Sequence, residues 1–244
     1  MKRIFSDLHL RPNLREPEQA SCMARRAVDL GYRLIAFKLP VNITRNELIQ
    51  LRSACREAGI DLASRVDLKP GTPAELLSSI RNLRRKFEII AVICESKNVA
   101  RQAAKDRRVD LLNFPGFDFR RRFFDRAEAE LASKGTAALE IDTSPILTLE
   151  GQARIRLLTC LRRDAATAQA LHVPIVISSG APSILLMRKP LENAALASLF
   201  DLKRENAFDA TSKNPTHIVK TNREKLGPDF VAPGIRAIRR GKDC

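Results

Sequence analysis

Seven short runs rich in aliphatic and β-branched residues recur along the chain, each followed by a longer stretch with helical spacing, and this alternation constrains the fold most. The runs are residues 3–8, 34–37, 60–66, 89–95, 111–113, 138–141 and 175–178. A strand that feeds a helix before the next strand returns beside a parallel neighbour through a right-handed crossover. Repeated along the chain, the pattern predicts an α/β fold, a TIM-like barrel of about seven parallel strands. The 244 residues, 44% of them hydrophobic, match the roughly 250 that such a barrel occupies as one domain.

The helices carry start and stop signals. Thr44-Arg45-Asn46-Glu47 has the spacing of a capping box, and Gly59 ends that helix. Thr72-Pro73-Ala74-Glu75 repeats the device with proline at the first helical position. Further helices are expected from near Asp118 to Lys134, over 150–171 as the longest, from Pro190, over 203–210 and, after a break at Asn214-Pro215, over 216–225. The domain assignment is a single barrel over 1–227, followed by a basic, flexible, loop-like tail over 228–244 that carries Arg236, Arg239, Arg240 and Lys242.

Cys22, Cys55, Cys94, Cys160 and Cys244 are dispersed without a C-x-x-C pair and read as reduced thiols. The first residues lack the apolar stretch of about 7–15 positions that a signal peptide needs. The strongest apolar run, 89–94, falls far short of the roughly 18 residues of a membrane span. A soluble, cytoplasmic protein with no membrane partner is expected. Its 43 Lys+Arg against 28 Asp+Glu give a net charge of +15, which points to a polyanionic partner, nucleic acid before anionic lipid. With no Trp and one Tyr, the chain is poor in stacking groups, so binding should rest on phosphate contacts and depend steeply on salt.

In a β/α barrel the carboxyl ends of the strands show what chemistry is possible. Here they offer Asp7 and His9, Lys38, Arg65 and Asp67, Glu95 and Lys97, Asn113, Asp142, and Ser178 with Ser179. The first strand ends Ser6-Asp7-Leu8-His9-Leu10-Arg11, which resembles the Asp-Leu-His-x-His entrance to the metal cluster of polymerase-and-histidinol-phosphatase (PHP) barrels. Arg11 stands at the second imidazole position, and a guanidinium has no lone pair for a metal. His172 and His217 complete the histidines, too few for such a centre, so the metal site is expected to be degenerate, with no metal ligand and no catalytic residue. The strand-end charges are then expected to pair with one another and close the mouth. His172 fits a helix C-terminus, and His217 fits a structural role or a phosphate contact.

Further stretches carry a second resemblance: Phe5-Ser6-Asp7-Leu8-His9, Ser64-Arg65-Val66, Leu111-Leu112-Asn113-Phe114-Pro115, Glu140-Ile141-Asp142-Thr143-Ser144-Pro145, Ile177-Ser178-Ser179-Gly180-Ala181 and Asn222-Arg223-Glu224-Lys225. In this order the chain resembles the archaeal ribonuclease P protein component 3 family, the p30 subunit family. The resemblance implies a protein subunit of a ribonucleoprotein endoribonuclease that removes 5′ leaders from precursor tRNA. It implies that the chain binds no cofactor, that Mg²⁺ sits on the catalytic RNA subunit, and that the partners are ribonuclease P RNA, precursor tRNA, component 2 and other proteins of the complex. Lys38, Arg65, Arg85, Arg107, Arg120, Arg122, Lys189 and Lys213 are the candidate RNA-binding cations, converging on one rim. Arg65 has an alternative as an ion-pair partner of Asp7, Asp67 or Asp142. A metal-dependent PHP-type phosphoesterase using Asp7, His9, Glu95 and Asp142, and a generic RNA-binding barrel, are the alternative functions.

Overall fold

The computed structural model describes residues 3–118, 122–232 and 235–236. Seven strands pair in chain order and all in parallel: β1 (Ser6–Leu10), β2 (Leu34–Lys38), β3 (Asp61–Leu68), β4 (Ile89–Ile93), β5 (Leu111–Asn113), β6 (Ala138–Asp142) and β7 (Ile175–Ser178). The first and last meet at one bridge, Leu10 beside Ala181, where the Arg11 N–H donates to the Ala181 carbonyl at 2.9 Å. The result is a nearly closed TIM-like barrel, as the alternation predicts.

Helices α1 (Pro17–Leu30), α2 (Arg45–Glu57), α3 (Pro73–Leu83), α4 (Lys97–Lys105), α5 (Arg126–Lys134), α6 (Ser144–Thr148) and α7 (Gly151–Ala170) connect the strands. After β7 come α8 (Pro190–Leu196), α9 (Arg204–Thr211) and α10 (Lys213–Leu226). Thr44 and Thr72 cap α2 and α3, each accepting from the N–H of the glutamate three residues on. Helix α4 turns Val99, Ala100, Ala103 and Ala104 to the sheet, a buried stripe at the helical period. No helix among the described residues is long and apolar enough to cross a membrane.

Alternation along the strands divides the barrel interior into two halves. Near the strand starts it is apolar: Leu8, Leu34, Ala36, Ala63, Ile89, Ala91, Leu111, Ala138 and Val176 form one cluster. Val219 of α10 completes this cluster, so the last helix floors the barrel. Towards the carboxyl ends the inward positions turn polar, and Arg65, Asn113, Glu140 and Ser178 are buried there.

Three expectations are corrected. Helix α5 begins at Arg126, not near Asp118, because the Asp125 side chain accepts from the Glu128 N–H at 2.9 Å and caps it there. Helix α10 runs through Asn214-Pro215, since a proline in the first turn sacrifices no helical hydrogen bond. Residues expected to be loop after Gly227 include a short antiparallel pair, β8 (Phe230–Ala232) with β9 (Ile235–Arg236). Arg239, Arg240 and Lys242 lie outside the described residues.

Candidate functional site

The mouth of the barrel is built around Arg65, whose side chain is 0% exposed. Its two terminal nitrogens form a fork on Glu140, both at 2.6 Å, and its Nε donates to Asp67 Oδ1 at 2.7 Å. One of the terminal nitrogens also donates to the Leu8 carbonyl at 2.7 Å. Ser178 Oγ and Asn113 Nδ2 donate to the same Glu140 carboxylate at 2.7 and 2.9 Å, and Asn113 reaches Asp142 at 3.0 Å. Such a buried charge pair persists only when its remaining donors and acceptors are satisfied, and here strands β1, β3, β5, β6 and β7 all contribute.

His9 bridges the upper rim of this network. Its Nδ1 lies 2.8 Å from Asp142 Oδ1, and its Nε2 lies 3.2 Å from Asp67 Oδ2 in an ion-pair contact off the line of a hydrogen bond. Burial and the nearby Arg65 oppose the imidazolium, but Asp142 and Asp67 outweigh them and push His9 up to about 9. Burial would raise both carboxyls, yet Arg65 and His9 hold Asp67 well below the usual range, and His9 does the same to Asp142. Asp7, beneath them, is pushed up by desolvation even though it accepts from the His9 and Ser179 amides.

Three potential metal ligands, His9, Glu140 and Asp142, bring donor atoms within 4.8 Å of one another. They do not fit a metal as they stand. Arg65 occupies both Glu140 oxygens, and both His9 ring nitrogens are already turned to the carboxylates of Asp142 and Asp67. Arg11, at the second imidazole position of the PHP pattern, donates instead to the Gly180 carbonyl at 2.8 Å and stitches the seam between β1 and β7. Glu95, a ligand in the phosphoesterase alternative, points elsewhere and pairs with Lys69 at 2.8 Å.

Gly180 holds the turn beside this network at φ 61, and a Cβ there would meet the Asp142 side chain at 2.8 to 2.9 Å. Gly180→Ala is expected to cost about 1–2 kcal/mol for the left-handed backbone, and more as Asp142 is displaced from His9. Chemical denaturation checks this; a midpoint equal to that of the parent would refute it.

The candidate RNA-binding cations do not converge on one rim. Arg65 is buried at the centre of the mouth and has no surface for a phosphate. Arg122 is also buried, its Nε and Nη2 donating to Asp164 at 3.1 and 2.9 Å. Its neighbour Phe124 packs edge-on against Phe114. Both arginines satisfy interior carboxylates, Arg65 in the pairing with Asp67 that was its alternative and Arg122 in the reverse of the solvated role its basic stretch suggests. Lys38 is exposed at the mouth but lies 3.7 Å from Asp67, and Lys189 is exposed where α8 begins. Arg85, Arg107 and Lys213 are exposed at the opposite end, where the strands start, and Arg120 lies outside the described residues.

Sequence reasoning missed Glu140 as the anchor of Arg65, although its period-two spacing from Asp142 on β6 was the available signal. It also missed the clamp of α10. Asn222 donates to the Glu88 carbonyl and to Asp110, both at 2.8 Å, and Arg223 reaches Asp61 and Glu88.

Fold and mouth together define a class: a seven-stranded β/α barrel in which an arginine-centred ion network fills the strand ends. The family model for RNase P subunit p30 matches residues 4–226, and ribonuclease P protein component 3 of Methanosarcina mazei is 32% identical over 185 residues, 76% of each chain. The chain belongs to the RNase P subunit p30 family, and so to the protein subunits of ribonuclease P. A chain of an archaeal ribonuclease P solved with mature tRNA shares the fold, with a TM-score of 0.84 at 19% identity over 97% of this chain and 100% of that one. The Aspergillus niger ochratoxinase barrel shows a fold-level likeness, with a TM-score of 0.58 at 13% identity over 89% of this chain and 71% of that one.

Proposed function

We propose that this chain works in the cytoplasm as a non-catalytic subunit of ribonuclease P, supporting the RNA that removes the 5′ leader of precursor tRNA. The observation that carries this reading is Arg65 seated on Glu140, which fills the position where a barrel of this shape would gather ligands for phosphoester chemistry. The chain brings no metal of its own, and the Mg²⁺ of the reaction belongs to the RNA. Component 2 is its direct protein partner, and together they support the catalytic domain of the RNA. The excess of cations supplies attraction for that RNA without base-specific contacts.

Reconstitution from the RNA and the protein components tests this. Leaving out this chain at limiting Mg²⁺ is expected to slow precursor-tRNA cleavage by about tenfold, equivalent to about 1.4 kcal/mol of transition-state stabilisation. Cleavage at an unchanged rate would remove the chain from the reaction.

A further inference from the structure

The two ends of the barrel differ in how most of their exposed lysines are partnered. At the mouth, Lys38, Lys69 and Lys97 each face a carboxylate, with Asp67 at 3.7 Å, Glu95 at 2.8 Å and Asp125 at 3.0 Å. At the strand-start end the four carboxylates next to the barrel floor are already taken. Asp61 and Glu88 hold Arg223, Asp110 holds Arg84 and Asp106 holds Arg108. Arg56, Arg85, Arg107, Lys213 and Lys225 are exposed there, and among the described residues none has an acid within ion-pair distance.

Three of these free cations share one cleft. Arg85, Arg107 and Lys225 line a hollow of about 590 Å³ between α10 and the loops leading into β4 and β5. A second hollow of about 370 Å³ adjoins it through Asn222 and Lys225 and is edged by Lys213, His217 and Thr221. Lys213, His217, Thr221 and Lys225 are four residues apart, so they lie on one face of α10 in a stripe about 18 Å long. The bed is rigid, because Asn214 donates to the Ile175 carbonyl at 2.8 Å while Asn222 and Arg223 bind the floor of the barrel.

We infer that the strand-start end of the barrel, astride α10, is where this subunit grips the phosphodiester backbone of RNA. The inference rests on the ribonuclease P reading above. Free cations on a fixed helix, interleaved with hydroxyl and imidazole groups, suit a ridge of phosphates and 2′-hydroxyls. At the mouth Lys38, Lys69 and Lys97 face carboxylates, and the exposed Arg15 and Arg45 stand apart on separate connections, after β1 and after β2. This end is also remote from where barrels place their chemistry, as befits a subunit that holds RNA and leaves its cleavage to others.

Two triple variants of the complex with component 2 test the inference against a ribonuclease P RNA transcript over a salt series. Arg85→Glu with Arg107→Glu and Lys225→Glu is expected to weaken binding more than tenfold at about 0.1 M salt. The slope of log affinity against log salt should flatten by about 2 to 3, since each lost phosphate contact removes roughly 0.7–0.9. Lys38→Glu with Lys69→Glu and Lys97→Glu, an equal change of charge at the mouth, is expected to leave the slope in place. Should the glutamate set lose its cooperative melt, glutamine at the same three positions should still flatten the slope. The surface is wrongly assigned if the mouth set flattens the slope instead, or if both sets leave it alone. Release of component 2 by the strand-start set, with the slope intact, would give the surface to a protein. A parent complex that binds the transcript no better than bulk RNA would sink the ribonuclease P reading itself.

Discussion

Arg65→Ala is expected to lower the stability of the barrel by about 3–5 kcal/mol, because it strands Glu140 and Asp67 in the interior without their cation. For a chain of this size that corresponds to a fall in Tm of about 10 °C. Lysine at the position should restore only part of the loss, since a single ammonium cannot serve both Glu140 oxygens, Asp67 and the Leu8 carbonyl in the fork geometry of arginine. Arg65→Met combined with Glu140→Leu should be less damaging than the sum of its parts, because it removes both charges together. The alanine variant also frees Glu140, which with His9 and Asp142 lies close enough to share an ion. It is expected to retain zinc or manganese on purification while the parent does not, which elemental analysis measures. A variant as stable as the parent would show that the charges at the mouth are solvated.

His9 makes stability depend on alkaline pH. Its folded pKa of about 9 lies above the ordinary value of 6.5, so the charge contributes fully below pH 6.5 and is lost as pH rises through 9. The shift corresponds to stabilisation on the order of 3 kcal/mol. A falling denaturation midpoint is therefore expected between pH 6.5 and 10. In His9→Gln, which has no proton to lose, this decline should disappear. Asp67 and Asp142 act in the opposite direction, their lowered values making stability fall as acid protonates them. Buried Asp7, raised by desolvation, offsets part of that acid limb. A midpoint constant from pH 6.5 to 10 in the parent would show that His9 is neutral.

All seven strands were legible in the sequence because a parallel strand buried on both faces is a continuous apolar run between helical stretches. The spans at 111–113 and 175–178 match their strands, whereas β1 begins three residues later than its apolar run suggested. The charged mouth was legible too, since strand ends are known from strand order alone. What composition hides is which cation faces inward. Arg122 sits in a stretch as basic as those of Arg85 and Arg107, and only the position of Asp164 on α7 decides that it is consumed inside, as strand register decides it for Arg65. The function of Asn222 and Arg223 was equally hidden, because Glu88 and Asp110 come from loops more than a hundred residues earlier.

The floor supplied by α10 also sets the order in which the molecule can form. Thr216 lies 3.1 Å from Ser6 in a hydroxyl contact spanning 210 residues, and Val219 seals a cluster drawn from every barrel strand. A nascent chain that has released all seven strands still lacks the helix that shields Leu34, Ile89 and Ala138 from water at the bottom of the barrel. Pairings of such long separation are slow to form, and intermediates with exposed apolar surface are prone to aggregate. The barrel is thus expected to complete in one late, cooperative step after α10 has left the ribosome, and truncation before residue 213 should yield an insoluble chain even though every barrel strand is present.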